Sequence, residues 1–312
     1  MPVLSLSMDL ADSTCAKNKI QRRCTTLAHA HRQFELLARL FYRAETALYT
    51  RLVTEGVPIT SIFQMKSIGD EVWVVIDLPD SGPSDAFNTR VAAVLRAAIA
   101  TACQDVSFRY TKRPLTADEE AADPPKSTLR TVSVSLGVKI FVDLIDDAVE
   151  TSQIRLDVFQ KDLSSLLRTS GPSNARIPLV RPTAASILER LGGFTLTLAG
   201  QVKYRTDYIG PNVDHFFRAA KGAQVGRVAV GAWLLARLTD LSGKPLRPRP
   251  GRKIVVPAGK AIYRFSVAKH IRLRKKDLKG FRQGYDVYVL RDRSIEKVMA
   301  TAGFVGVHGL RP

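Results

Sequence analysis

Long apolar runs are missing from this chain of 312 residues. No stretch approaches the roughly 18 to 20 consecutive apolar residues that cross a bilayer, so no membrane span is expected. The opening MPVLSLSMDLAD lacks the basic start of a secretory signal, and the expectation that follows is a cytoplasmic protein. Cysteine is scarce: Cys15, Cys24 and Cys103 are an odd number without metal-ligand spacing, and the five histidines form no ligand motif. Free thiols are expected and structural zinc is not. Acidic residues are in short supply, 29 Asp and Glu against 47 Lys and Arg, which leaves a formal net charge of +18. That excess serves solubility or fits a polyanion such as nucleic acid, nucleotide phosphate or an acidic membrane surface. It gathers late, in Arg247, Arg249, Arg252 and Lys253, then in Lys269, His270, Arg272, Arg274, Lys275 and Lys276. These runs are poor in interleaved aromatics and no DNA-binding motif accompanies them, so no stable nucleic-acid partner is expected. Internal repeats and low-complexity tracts are also absent.

What is present is enough apolar sequence, 45% of residues, for a substantial core. Val3 to Leu10 alternates as a strand with Asp9 near its end, and Asp12, Ser13 and Thr14 read as a turn. From Thr26 to about Glu55 apolar residues recur every three or four positions, an amphipathic helix stopped by Gly56 and Pro58. Gln64 to Leu78 reads as a β-hairpin turning at Ser67, Ile68 and Gly69, with Lys66 and Asp70 astride the turn. Ser84 caps an alanine-rich helix to Cys103, Val106 to Tyr110 is a short strand, and TVSVSLGVKIFV from Thr131 is a longer one. The succession is β-α-β-β-α-β, an α+β, ferredoxin-like arrangement expected to leave one sheet face exposed for a partner or ligand. Beyond Asp147 the pattern changes to an insertion with helical spacing in Gln153–Leu167 and Pro182–Leu191. A strand is expected over Leu196–Tyr204, a helix from Asp214 to Lys221, a strand or short mixed element over Gly226–Leu235, and last strands around Ala261–Val267 and Tyr285–Leu290.

In this topology the first strand and the hairpin are neighbours in the sheet, so Asp9 and Asp70 can converge. Two carboxylates without histidine or cysteine offer hard oxygen ligands suited to Mg²⁺ or Mn²⁺ carrying phosphates.

Four separated pieces resemble the class III nucleotidyl cyclases. Met8-Asp9-Leu10-Ala11-Asp12-Ser13-Thr14 is similar to the family's F-x-D-I-x-G-S/F-T, and Lys66-Ser67-Ile68-Gly69-Asp70 to its K-x-x-G-D. Asp207 to Arg218, DYIGPNVDHFFR, resembles D-x-x-G-x-x-V-N-x-x-x-R, and Leu278-Lys279-Gly280-Phe281 with the strand Val287 to Leu290 resembles the closing L-K-G-F. The resemblance implies a two-metal site held by Asp9, Leu10 and Asp70, with Mn²⁺ or Mg²⁺ as cofactor. It implies that Lys66 and Asp207 read the base, that Arg218 neutralises charge at the α-phosphorus, and that Lys279 meets the triphosphate. It further implies a homodimer with sites at the interface, metal carboxylates coming from one chain and Lys66, Asp207 and Arg218 from the other. The whole of 1–312 is then one cyclase domain, with core segments 3–147 and 201–290, an insertion at 148–200 and a basic C-terminal segment at 243–312.

The departures bear on substrate. At the family's asparagine position stands Asp214, with Asn212 two residues earlier, so the ribose contact is altered or shifted. A compact cyclase with a long first helix and an insertion is similar to the pyrimidine cyclases of the bacterial anti-phage system called Pycsar. That resemblance implies UTP, or next CTP, as substrate, a 3′,5′-cyclic nucleotide and pyrophosphate as products, and a separate cyclic-nucleotide-sensing effector. Tyr49 on the long helix is nominated to narrow the base pocket; Tyr42, or a structural role for both, stands beside it. The alternatives are an adenylate cyclase, a non-catalytic basic protein that binds nucleotide or nucleic acid, and another two-metal enzyme such as a polymerase palm or cyclic dinucleotide synthase.

Overall fold

The computed structural model describes residues 3–68, 71–79, 84–104, 106–114, 116, 131–145, 149–150, 195–198, 201–204, 208–209, 211–241, 243–278 and 283–301. Its strands are β1 (Val3–Ala11), β2 (Ile62–Ile68), β3 (Glu71–Asp77), β4 (Val106–Thr111), β5 (Thr131–Ile145), β6 (Val149–Glu150), β7 (Thr195–Leu198), β8 (Gln201–Tyr204), β9 (Tyr208–Ile209), β10 (Arg227–Gly231), β11 (Lys253–Ala258), β12 (Ala261–Leu273) and β13 (Tyr285–Arg291). Its helices are α1 (Ser13–Arg23), α2 (Leu27–Thr54), α3 (Asp85–Ala102), α4 (Pro211–Ala219), α5 (Ala232–Arg237) and α6 (Arg293–Thr301).

One mixed sheet carries the fold, in the order β11-β12-β13-β10-β5-β1-β3-β2, with β4 also pairing β5. The half β5-β1-β3-β2 is the antiparallel ferredoxin-like core that the β-α-β-β-α-β succession predicts. β10 then pairs parallel with β5 and brings in β13, β12 and β11. Two short pairs, β6 with β9 and β7 with β8, stand apart from the main sheet.

Alternation along the strands sends two sets of side chains to two faces. Leu4, Leu6, Met8 and Leu10 of β1, with Val72, Val74 and Ile76 of β3 and Val138, Ile140 and Val142 of β5, pack under α2 and α3. The helices suit that role. The stripe Leu37, Phe41, Ala44, Leu48 and Leu52 recurs at three and four on α2, and the Thr26 hydroxyl caps its start by accepting from the His29 N–H. Ser84 does the same for α3 through the Phe87 N–H.

The opposite face is not left bare. Trp73, Val75, Phe141, Ile145 and Ala229 meet Val213, Phe216 and Ala219 of α4 in a second cluster. This corrects the expectation of an exposed sheet face. The physical reason is legible in the alternation itself, because aromatic residues occupy the positions that an open face would give to polar ones. Fully burying one such ring contributes roughly 1.5 to 3 kcal/mol, which a water-facing sheet would forgo.

Several elements depart from the sequence expectations. Ser13–Arg23, expected to begin as a turn, is the helix α1. β11 and α6 were not anticipated, and β11 lies at the sheet edge, where Pro257 removes one ladder donor at little cost. The expected strand over Leu196–Tyr204 is the hairpin β7–β8, and the helix expected from Asp214 begins at Pro211. The helical spacings expected in Gln153–Leu167 and Pro182–Leu191 lie outside the described residues. Among the described residues no helix is long and apolar enough to cross a membrane.

Candidate active site

β1 runs straight into α1. Asp12 at the junction has a left-handed backbone, φ 63°, and lets the chain turn immediately after the strand, so Asp9 and Leu10 are held at a rigid strand end. Asp9 is registered with Glu71 of β3 on one side and Lys139 of β5 on the other, and Lys139 is registered with Arg227 of β10. A row of two carboxylates and two cations thus crosses four strands. The Lys139 ammonium donates to Asp9 Oδ2 at 3.5 Å, and both side chains remain about a third exposed. The Ser7 hydroxyl donates to Glu71 Oε1 at 2.7 Å, fixing that carboxylate against the strand beside it. Arg227 is taken up by Glu296 of α6 at 2.8 Å.

The next row along the same face is Trp73, Ser7 and Phe141. α4 rests on it: Phe216 lies 5.1 Å from Phe141 between ring centroids, and Phe217 meets Trp73 edge-on at 5.0 Å. The structure therefore brings α4, which carries Asp214 and Arg218, onto the sheet face that carries Asp9. Asp214 is exposed and Arg218 half-buried, four residues apart and so on one side of the helix.

Behind α4 lies a buried polar knot. His215 packs against Trp233 at 4.4 Å and edge-on against Tyr285 at 4.3 Å. Tyr285 donates to Asp143 Oδ2 at 2.6 Å while accepting from the Trp233 N–H at 2.9 Å. Burial together with the Asp143 carboxylate pushes the Tyr285 hydroxyl far above its ordinary range. Burial pushes the His215 imidazole down to about 4, so it is neutral at physiological pH.

A pH dependence follows from the histidine. Unfolded, it binds a proton near its ordinary value of about 6.5; folded, it does so only near 4. The stability tied to this group is therefore complete above about pH 6.5 and is lost as pH falls toward 4, by up to about 3 kcal/mol. Urea unfolding at pH 7, 6 and 5 should show a steeper loss for the native chain than for His215→Phe, and equal slopes would disprove the assignment.

Lys66 occupies a β2 position registered with Trp73, next to a bulge between Gln64 and Lys66. Asp70, Asp207 and Lys279 lie outside the described residues. Leu10 is buried beneath the helices. Tyr49 is corrected. It is 4% exposed, packs with the cluster under α2, on the sheet face opposite Asp9, and donates to Glu45 Oε1 at 3.0 Å. Desolvation raises the Glu45 carboxyl, and the two side chains satisfy one another in the core. Tyr49 thus takes the structural role, because its place on the α2 stripe buries it, while Tyr42 is 59% exposed. Sequence reasoning passed over Glu71 and Lys139. The signal for Lys139 was a cation inside the apolar run from Leu136 to Val142, and for Glu71 a second acid directly after the hairpin turn.

The donors at the strand end, the Asp9 and Glu71 carboxylates, are hard oxygens, a chemistry that fits a divalent cation of the Mg²⁺ type. Among the described residues no group of three or more His, Cys, Asp or Glu side chains gathers to hold a metal.

No protein-family model matches the chain and no curated protein sequence matches it. Among solved structures, the adenylyl cyclase CyaB from P. aeruginosa is 10% identical, with 93% of this chain and 94% of that chain covered and a TM-score of 0.42. The guanylate cyclase domain of RhGC from Catenaria anguillulae, in complex with GTP, is 11% identical, with 94% and 97% covered and a TM-score of 0.42. An adenylate cyclase structure from Trypanosoma brucei is 10% identical, with 93% and 89% covered and a TM-score of 0.41.

Proposed function

We propose that this chain is a metal-dependent nucleotidyl cyclase, acting on UTP and next on CTP to form a 3′,5′-cyclic nucleotide and pyrophosphate. The observation that carries the reading is Asp9, fixed at the end of β1 beside Glu71, on the sheet face where α4 presents Asp214 and Arg218. The four motif resemblances give the same residues the same roles. Asp9, the Leu10 carbonyl and Asp70 would hold the cation, and Glu71 lies next to them in register. A divalent cation there supplies Lewis-acid polarisation of the phosphates and favours ionisation of the ribose 3′-hydroxyl.

The chain's own groups do the rest. Lys66 donates to the base and Asp207 accepts from it, a pairing that suits adenine, cytosine and uracil better than guanine. Arg218 faces the α-phosphate and Lys279 the outer phosphates, so negative charge is met where it builds up. The 3′-oxygen forms its bond to the α-phosphorus as the bond to the bridging oxygen of pyrophosphate breaks, and the 3′-proton leaves to water. The working unit is a homodimer with the sites at its interface, and the product is an anti-phage signal read by a separate effector.

A second reading, a non-catalytic nucleotide-binding protein, draws on one observation: Lys139 already engages the Asp9 carboxylate that the cation would take. One experiment separates the two. The purified chain is incubated with each of the four ribonucleoside triphosphates and Mn²⁺, and products are resolved by liquid chromatography and mass spectrometry. Cyclic UMP or cyclic CMP is expected. Absence of every cyclic product overturns the catalytic reading, and conversion of ATP alone overturns the pyrimidine assignment.

A further inference from the structure

On the face under the helices, where β1 ends, α1 and α2 do not close on each other. They leave a cavity of about 290 Å³, room for roughly ten water-sized groups. Its apolar walls are Leu10, Phe34, Leu37 and Phe41, with exposed Tyr42 standing edge-on to Phe41 at 5.9 Å between ring centroids. Two polar residues of α1, one helical turn apart, contribute to its lining: the buried Ser13 and the half-buried Lys17. Ser13 is only 2% exposed, and its hydroxyl oxygen has no hydrogen-bond partner among the described residues. Buried hydroxyls are ordinarily satisfied, because a hydroxyl taken out of water without a partner has lost its hydration uncompensated. An aromatic-walled cavity with a buried serine and a lysine side by side in its lining has the make-up of a small-molecule pocket, mostly apolar with a few polar groups.

We propose that this cavity binds a small amphiphile, an aryl-alkyl or short acyl body ending in a carboxylate. The body lies against Phe34, Phe41 and Tyr42, and the carboxylate accepts from the Ser13 hydroxyl and the Lys17 ammonium. Charge complementarity selects an acid over an alcohol, and the orphan hydroxyl sets the depth to which the head enters. The site shares only Leu10 with the proposed cyclase chemistry, by its side chain rather than its carbonyl, and it uses neither Asp9 nor any residue of α4.

The test uses the full chain without nucleotide, with 4-phenylbutyrate and its neutral counterpart 4-phenylbutanol as probes, followed by calorimetry and ligand-detected NMR. The acid should bind saturably, one per chain, with a Kd on the order of 0.1 to 1 mM, and the alcohol at least about fivefold more weakly. Ser13→Ala should weaken the acid by about fivefold, and Lys17→Gln should bring acid and alcohol to the same affinity. Ala38→Trp, at an exposed lining position, should fill the opening and abolish binding of both. Its melting curve checks that it folds, and Ser13→Ala keeps the test decisive should the tryptophan variant unfold. Failure of both probes to bind overturns the proposal and leaves the cavity to water or to a second copy of the chain. Affinities unchanged in Ser13→Ala and Ala38→Trp overturn it equally.

Discussion

Asp9→Asn is expected to lower cyclic-nucleotide formation at least about a hundredfold while moving the melting temperature by no more than a few degrees. Both halves follow from its setting. A metal-held phosphate gains several kcal/mol of charge stabilisation, and an amide at the ligand position forfeits a large part of it. The cost to the fold is small. The ion pair with Lys139 spans 3.5 Å between side chains that are each about a third exposed, and such pairs contribute about 0 to 1 kcal/mol. Initial rates at saturating Mn²⁺, taken with thermal melts on the same preparations, make the comparison. A variant that keeps its rate, or that loses rate and melting temperature together, would remove Asp9 from the site.

Asp143→Ala is expected to be the most damaging single change to the fold, about 4 kcal/mol in urea unfolding. Asp143 is 1% exposed. Its Oδ1 accepts from the Leu144 N–H at 2.9 Å and the Leu234 N–H at 3.1 Å, and its Oδ2 accepts from the Tyr285 hydroxyl at 2.6 Å. The Leu234 bond stands in for a helix cap, since Gly231 at the start of α5 has no side chain to offer. Space there is committed: a Cβ on Gly231 would sit 1.9 Å from Asp143 Oδ2. Truncation strands three buried donors at roughly 1 to 3 kcal/mol each, eased in part by relaxation. Tyr285→Phe removes one hydroxyl and should cost only about 1 to 2 kcal/mol. A loss under 1 kcal/mol for Asp143→Ala would mean that water reaches the knot and replaces the carboxylate.

The part of this fold that could be read in advance is the part whose periodicity is long. α2, α3 and the β2–β3 hairpin announce themselves because many apolar residues repeat at one spacing. α1 does not: only Ser13, Ala16 and Ile20 are buried in STCAKNKIQRR, and a stripe that thin beside small polar residues reads as a turn. β11 is short and carries a proline, a combination that argues against a strand unless the edge position is known. At the site, Asp9 was legible because it ends a strand beside a turn. Glu71 and Lys139 became visible only once pairing was known, since register across strands is a tertiary fact that no single segment states. Tyr49 erred in the other direction. The spacing that puts it on α2 also puts it on the buried stripe, so a residue nominated for a ligand serves the core.

The two halves of the sheet meet on one short parallel ladder, from Arg227–Lys139 to Val230–Val142. The chain between Ile145 and Arg227 closes a long loop, and loop-closure entropy grows only with the logarithm of length. Doubling such a loop costs about 0.6 kcal/mol. Changes of length in that interval that leave α4 in place therefore carry little loop-closure penalty. Folding speed pays instead, because the ladder must wait for partners far apart along the chain to find each other.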